Sequence, residues 1–228
     1  MALERILKEI NLFKSIGEDY RKRLSSVLRR RSLKKGEVLF RKGDEGNVLY
    51  IVRKGSIKIV LPSEMGDEAV LAVFSSGDFF GEMALMDGMP RSADAVALEP
   101  SELLALNRSD FITFLENNGE AMQAILSHLS MRLRKTDDSL EDAYFLNISA
   151  RFAKKLVELA KTYGEQDGDI IEISLRLSQK DLASMIGATR ESVNKELRVL
   201  REKGLVSTEE GPLRILDLVR LERRAKLQ

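Results

Sequence analysis

The sequence contains no cysteine and a single histidine, His128. Without thiols there can be no disulfide, no thiolate metal site and no cysteine-ligated iron–sulfur cluster. One imidazole cannot build the usual histidine-based zinc site, so no metal is expected. No stretch approaches the roughly 18 uninterrupted apolar residues of a membrane span. The first residues, Met1-Ala-Leu-Glu-Arg-Ile-Leu-Lys8, lack the apolar centre and cleavage site of a signal peptide. The expectation is a soluble, cytoplasmic chain that does not meet a membrane. Net charge is only +1, which does not announce a polyanion binder. What is present is a length of 228 residues and an apolar content of 43%, enough for one large core or two ordinary ones.

Charge is unevenly placed. Arg21, Lys22, Arg23, Arg29, Arg30, Arg31, Lys34 and Lys35 follow one another with no acid among them. From Arg176 to Lys203 there are seven basic residues against four acidic ones. Such local patches outweigh the total, because a phosphate field acts over about 10 Å, a Debye length.

Residues from about 30 to 107 read as strands. Val38–Phe40, Leu49–Val52, Ser56–Val60, Ala69–Phe74 and Ser101–Leu106 are apolar and rich in β-branched residues. Gly36, Gly43, Gly46, Gly55, Gly66 and Gly77 punctuate them, supplying the positive φ angles of tight turns. Short strands at near-regular spacing point to a barrel or jelly roll rather than a parallel sheet.

Helices follow. Ser109 is a candidate N-cap for a short helix ending before Asn117-Asn-Gly119. The next helix runs to about Phe145, with Met122, Ile125, Leu129, Leu133, Thr136, Leu140 and Tyr144 at steps of three and four. That narrow stripe suits pairing with a copy of itself, with Met122, Ile125, Leu129, Leu133 and Leu140 as the dimer contacts. An intramolecular core helix is the other reading. Polar Thr136 interrupts the stripe, so it sets register or faces something polar. From Ile148 a separate segment begins: a helix capped by Ser149, a turn-rich loop over Tyr163–Asp169 and a strand over Ile170–Ser174.

Between the strands lies Phe80-Gly-Glu-Met-Ala-Leu-Met-Asp-Gly-Met-Pro-Arg-Ser-Ala-Asp94, directly after Ser76-Gly77-Asp78. Glu82 can accept from a sugar hydroxyl. Arg91 offers a planar fork of donors suited to two phosphate oxygens, and Ser92 adds a hydroxyl. Gly81 lets backbone N–H groups approach an anion. The segment resembles the phosphate-binding cassette of cyclic-nucleotide-binding domains, and the order of turns around it resembles their β-roll. A surface helix with an Arg–Glu pair is the plainer alternative.

Near the C-terminus, Ser178-x-x-Asp181 opens a helix with a capping-box pattern, and Leu182, Met185 and Ile186 form its inner face. Gly187 permits a tight turn. Thr189 then caps a second helix with Val193, Leu197 and Leu200 inward and Arg190, Glu191, Asn194, Lys195 and Arg198 outward. This is helix-turn-helix organisation, with base-reading side chains on the first turns of the second helix. Lys203–Val206 followed by Glu209–Leu216 reads as a helix stop and a hairpin wing.

The segment resembles the winged helix of the cyclic-AMP receptor protein family, which also contains the fumarate–nitrate reduction regulators. With the cassette, β-roll and long helix, the resemblance spans nearly the whole chain in the right order. It implies an α+β chain in three parts: a cyclic-nucleotide-binding β-roll (1–118), a long dimerisation helix with hinge (119–147) and a winged helix-turn-helix domain (148–228). It implies Gly81, Glu82, Met83, Ala84, Arg91, Ser92, Thr136 and Asp137 as the ligand set. A family serine is replaced here by Asp137, which can accept from an adenine amine or from guanine N1 and N2. Cyclic AMP is the implied effector, with cyclic GMP or no ligand as alternatives. Ser178, Gln179, Thr189, Arg190, Glu191, Asn194, Lys195 and Arg198 are the implied contacts to double-stranded DNA. Arg190 can bridge a guanine and Glu191 can accept from a cytosine amine. Lys195 stands where a family arginine reads a base, so one base step of a TGTGA-like palindrome stays open. Arg29 and Arg31 fall where the family carries basic contacts to RNA polymerase, although a solvated surface is the simpler reading of that run. His128 is expected beside the dimer stripe.

The function implied is a homodimeric bacterial transcription regulator switched by a cyclic nucleotide. The alternatives are a family member that is ligand-independent or senses another small molecule, and a nucleotide-binding regulatory subunit acting on a protein. An enzyme is not expected, because His128 has no evident nucleophile or metal partner.

Overall fold

The computed structural model describes residues 7–8, 10–14, 16–64, 66–208 and 211–226. The chain divides into two compact units, one of residues 1–62 and 71–134, the other of 63–70 and 135–228.

In the first unit, helix α1 (Glu18–Val27) precedes eight strands: β1 (Arg29–Leu33), β2 (Val38–Phe40), β3 (Val48–Lys54), β4 (Ile57–Pro62), β5 (Glu68–Phe74), β6 (Phe79–Phe80), β7 (Asp94–Ala97) and β8 (Ser101–Asn107). The strands form two four-stranded sheets, ordered β1-β8-β3-β6 and β2-β7-β4-β5. Alternation along β3 and β8 sends side chains to two faces. Leu49, Ile51, Leu104 and Leu106 pack under the helices with Phe13, Phe111 and Phe114. Val52 and Leu103 point the other way and join Ile57, Ile59, Phe74 and Phe80 between the sheets. The cassette helix α2 (Glu82–Asp87) leaves β6 at the rim of this inner core.

Five of the six expected turn glycines have positive φ: Gly36, Gly43, Gly55, Gly66 and Gly77. Gly46 does not, and its requirement is space. A Cβ there would lie 2.2 Å from the Ala84 Cβ and 3.4 Å from the Arg91 Nε. The basic run is also less uniform than expected. Arg21 is buried and donates to the Ile16 carbonyl, whereas Arg29, Arg30 and Arg31 are exposed along the edge strand β1.

Helix α3 (Arg108–Glu116) starts after Asn107, so Ser109 lies inside its first turn instead of capping it. Helix α4 (Gly119–Phe145) has 27 residues, about 40 Å of helix. Its core face differs from the expected stripe. Ile125 is 0% exposed and belongs to the first unit's own core, so it cannot be a dimer contact. Met122 and Leu129 are partly buried against the same core. The exposed apolar line is Leu126, Leu133 and Leu140, at 56%, 63% and 57% exposure and seven residues apart. His128 packs its ring against Phe79 at 4.4 Å, turned toward β6 and not toward that line.

The second unit holds α5 (Ile148–Tyr163), β9 (Gly164–Asp167), β10 (Ile170–Ile173), α6 (Gln179–Ile186), α7 (Arg190–Glu202), β11 (Val206–Ser207), β12 (Arg214–Ile215) and α8 (Leu218–Ala225). The Asn147 side chain, not Ser149, caps α5 by accepting the Ala150 N–H at 3.0 Å. Two residues of sequence separate each expected cap from the real one. The expected loop at Tyr163–Asp169 is instead strand β9 and a turn at Gly168, paired antiparallel to β10. The sheet order is β11-β12-β10-β9, so the wing and the hairpin share one sheet. Glu209 and Glu210 of the wing lie outside the described residues.

Gly46→Ala should therefore destabilise the first unit by about 1–3 kcal/mol, the cost of overpacking a filled core. Urea denaturation checks this, and an unchanged midpoint would contradict the close approach.

Candidate functional site

The cassette begins at Gly81, whose φ of 87° turns the chain from β6 into α2. A side chain there would also meet the Arg91 Nη1 at 2.7 Å. Gly88, at φ 73°, ends the helix and releases the chain toward Arg91. The return strand is fastened by paired backbone bonds, Gly43 N–H to Arg91 O and Arg91 N–H to Asp44 O, both 2.8 Å. From the other side, the Arg108 Nε donates to the Leu85 carbonyl at 3.0 Å and holds α2 down.

These elements enclose a pocket of about 360 Å³, counting the space open to solvent. Phe40, Ile59, Phe74, Phe80 and Ala93 make its apolar wall; Glu82, Arg91, Ser92 and Arg132 supply polar atoms. Gly81, Met83 and Ala84 complete the cassette side. Thus six of the expected ligand residues, Gly81, Glu82, Met83, Ala84, Arg91 and Ser92, converge on one cavity. Thr136 and Asp137 are exposed on α4, in the stretch that belongs to the second unit.

The pocket's charges are buried. Glu82 is 0% exposed and pairs with Arg132 of α4, while its Oε2 has no partner among the described residues. Arg132 was not anticipated. The signal was available, since it lies one turn before Thr136 and shares its helix face. Arg91 is 5% exposed and its fork is turned inward. Nη1 donates to the Gly81 carbonyl at 2.9 Å and Nη2 to the Val48 carbonyl at 2.6 Å, leaving the buried Nε without a partner among the described residues. The guanidinium carbon stands 4.3 Å from the Phe40 ring centre and 5.8 Å from that of Tyr50. Burial pushes Arg91 below the ordinary arginine range, with Tyr50, Glu82 and Asp44 opposing that shift. It likewise pushes the Tyr50 phenol up, with Arg91 and Arg31 acting against it. A pocket with a buried acceptor, a buried cation and glycine-lined backbone fits a ribose and phosphate.

In the second unit, α6 opens with the expected capping box. The Ser178 Oγ accepts the Asp181 N–H at 3.1 Å, and Asp181 Oδ2 accepts the Ser178 N–H at 3.0 Å. Leu182, Ala183 and Ile186 are buried, with Met185 only half-buried. Gly187, at φ 60°, makes the turn, and Thr189 caps α7 by accepting the Ser192 N–H at 3.2 Å. Val193, Leu197 and Leu200 face the core. Ser178, Gln179, Thr189, Arg190, Glu191, Lys195 and Arg198 are exposed together, and Asn194 is half-buried. Arg198 also pairs with Glu202 at 2.9 Å, a solvent-exposed contact that is worth little and easily exchanged.

A cyclic nucleotide-binding domain model matches residues 30–118, and a Crp-like helix-turn-helix domain model matches residues 150–224. The chain is 30% identical over 224 residues to the CRP-like cAMP-activated global transcriptional regulator of Mycobacterium tuberculosis, covering 98% of this chain and 100% of that one. The chain belongs to the CRP/FNR family. It is 32% identical to the cyclic AMP receptor protein of Thermus thermophilus, over 86% of this chain and 88% of the relative. Among solved structures it resembles the c-di-GMP responsive global regulator CLP of Xanthomonas campestris, with a TM-score of 0.76 and 25% identity, covering 88% and 100% of the two chains. As a CRP/FNR-family member the chain is a transcription regulator with a cyclic nucleotide-binding domain and a DNA-binding helix-turn-helix domain. Its relatives are regulators, not enzymes. No helix among the described residues is long and apolar enough to cross a membrane.

Arg132→Met should cost the first unit about 3 kcal/mol, because it leaves the fully buried Glu82 without its countercharge. Adding Glu82→Gln should recover most of that loss. Denaturation of the single and double variants measures the coupling.

Proposed function

We propose that this CRP/FNR-family regulator is a cytoplasmic homodimer that binds cyclic AMP in the cassette pocket and a palindromic operator through α7. The observation that carries the ligand reading is the pair of buried, unpartnered atoms in one pocket, Glu82 Oε2 and Arg91 Nε. Glu82 would take the ribose hydroxyl. Arg91, Ser92 and the backbone around Gly81 would hold the phosphate, with Met83 and Ala84 lining that side. Arg132 would leave or share Glu82 as the sugar enters. Thr136 and Asp137 would meet the base edge, and a ligand gripped by both cassette and α4 would couple binding to the long helix. Coupling of this kind is typically about 1–3 kcal/mol. The relatives named for cAMP favour that nucleotide. Asp137 keeps cyclic GMP as the comparison.

The heptad-spaced Leu126, Leu133 and Leu140 support self-pairing through α4, with Met122 and Leu129 flanking the seam. For DNA, Arg190, Glu191, Asn194 and Lys195 would read base edges. Ser178, Gln179, Thr189 and Arg198 would hold the backbone of half-sites resembling TGTGA, about one helical turn apart. Exposed Arg29 and Arg31 on the edge strand would face RNA polymerase.

One observation favours a second reading, a ligand-independent regulator. Both Nη groups of Arg91 already donate to backbone carbonyls, so a phosphate must compete for the fork.

Isothermal titration of nucleotide-stripped protein with cyclic AMP, in parallel with cyclic GMP, separates the two. Micromolar binding of one nucleotide, lost in Arg91→Ala, is the expected result. Absence of heat with either, alongside full operator affinity in stripped protein, would select the ligand-independent regulator. On the DNA side, Arg190→Ala should lose roughly 1–3 kcal/mol of discrimination at one base pair of each half-site. Competition between operator duplexes differing at that pair measures it.

A further inference from the structure

Helix α8, at the C-terminal end, carries a contact that the ligand and DNA readings leave unused. It is capped by Asp217, whose Oδ1 accepts the Arg220 N–H at 2.9 Å, and anchored by Leu221 at 0% exposure. Glu222 pairs with Lys161 of α5 at 2.6 Å; the hydrogen bond and charge of Lys161 hold its carboxyl below the usual range. One turn beyond Leu221, the Arg224 Nη2 reaches the Glu196 Oε2 of α7 at 3.1 Å. Those side chains are only 18% and 17% exposed, and the Arg224 Nε is buried without a partner among the described residues. The pair therefore sits in partial burial, unlike the open Arg198–Glu202 pair within α7, whose side chains are 76% and 62% exposed.

Glu196 occupies a particular place on α7. It follows Lys195 on the outward face and precedes Leu197 of the core face, so it lies on the flank between them. A contact on that flank resists rotation of the helix about its own axis and adds to the hold of Val193, Leu197 and Leu200 on its core face. Rotation by one residue's angle, about 100°, would carry the reading residues out of register; far smaller errors already misalign bidentate contacts to base edges.

We infer that α8 is a brace for the reading helix and that Glu196 and Arg224 are positioning residues for sequence-specific DNA recognition. This rests on α7 being the helix that enters the groove. Neither residue needs to touch DNA. Their charges are opposite, and that makes the inference testable. If the two acted only through the field felt by DNA phosphates, removing Glu196's charge would strengthen binding and removing Arg224's would weaken it. A brace predicts loss of specific binding from both.

The test uses full-length protein and a duplex that the wild type selects from a randomised pool, with and without cyclic AMP. The readout is the ratio of affinity for that duplex to affinity for an unrelated one, by fluorescence anisotropy. Glu196→Gln and Arg224→Met should each lower the ratio by roughly tenfold. The exchange Glu196→Arg with Arg224→Glu should recover most of it. Thermal midpoints monitor folding, and Glu196→Gln, nearly isosteric, carries the test should Arg224→Met fold poorly. Opposite changes in the two single variants, an unchanged ratio, or no recovery in the exchange would each overturn the brace. Arg190→Ala runs alongside. If it lowers the ratio while the pair variants do not, only the brace fails; if it also does nothing, the reading of α7 fails with it.

Discussion

Charge buried inside an apolar roll is the constraint around which the first unit is organised. An isolated ion in such a place costs several kcal/mol unless it is paired and hydrogen-bonded. Glu82 meets that demand with Arg132, and Arg91 with two carbonyls and the faces of Phe40 and Tyr50. Much of the surrounding geometry serves these pairings. Gly81 must be glycine so that its carbonyl and the guanidinium can meet, and Gly46 so that the segment between β2 and β3 can lie against Ala84 and Arg91. Because Arg132 belongs to α4, the same pairing brings the long helix into the pocket wall. Pairing also leaves one acceptor, Glu82 Oε2, and one donor, Arg91 Nε, without a partner among the described residues.

The second unit obeys a parallel rule at its helix ends. Ser178, Thr189, Asn147 and Asp217 satisfy N–H groups that would otherwise be orphaned, so helix starts are held by local bonds. Val193, Leu197 and Leu200 fasten α7 from beneath, and Glu196 fastens it from the flank. The outward residues Arg190, Glu191 and Lys195 are thereby relieved of structural duty.

Much of this was legible beforehand. The cassette and the helix-turn-helix are contiguous motifs whose chemistry depends on residue type and spacing, and each appears where it was read. The 27-residue helix announced its length through a three-four period broken only at Thr136 and an Asn-Asn-Gly start. Helix caps and one loop differ from what the sequence suggests. Side-chain propensity favours Ser109 and Ser149 as caps, but the chain enters each helix two residues earlier, at Asn107 and Asn147. Gly164–Asp167 has the composition of a loop and becomes a strand only because β10 lies beside it.

The long helix shows where sequence stops. Ile125 and Leu126 are adjacent and both apolar, and a three-four stripe accommodates either. Only the presence of Phe111, Phe114 and their neighbours decides that Ile125 is buried and Leu126 exposed. The same holds for Arg132 and Glu82, fifty residues apart, and for Arg224 and Glu196, twenty-eight apart. Sequence by itself determined the element types, the order of the two modules and the chemistry each can perform, because those follow from local spacing and residue identity. The tertiary structure alone decided which charge neutralises which and which apolar face is left open. Those outcomes depend on side chains distant in sequence that come together only when both sheets and the helices have closed over a common core.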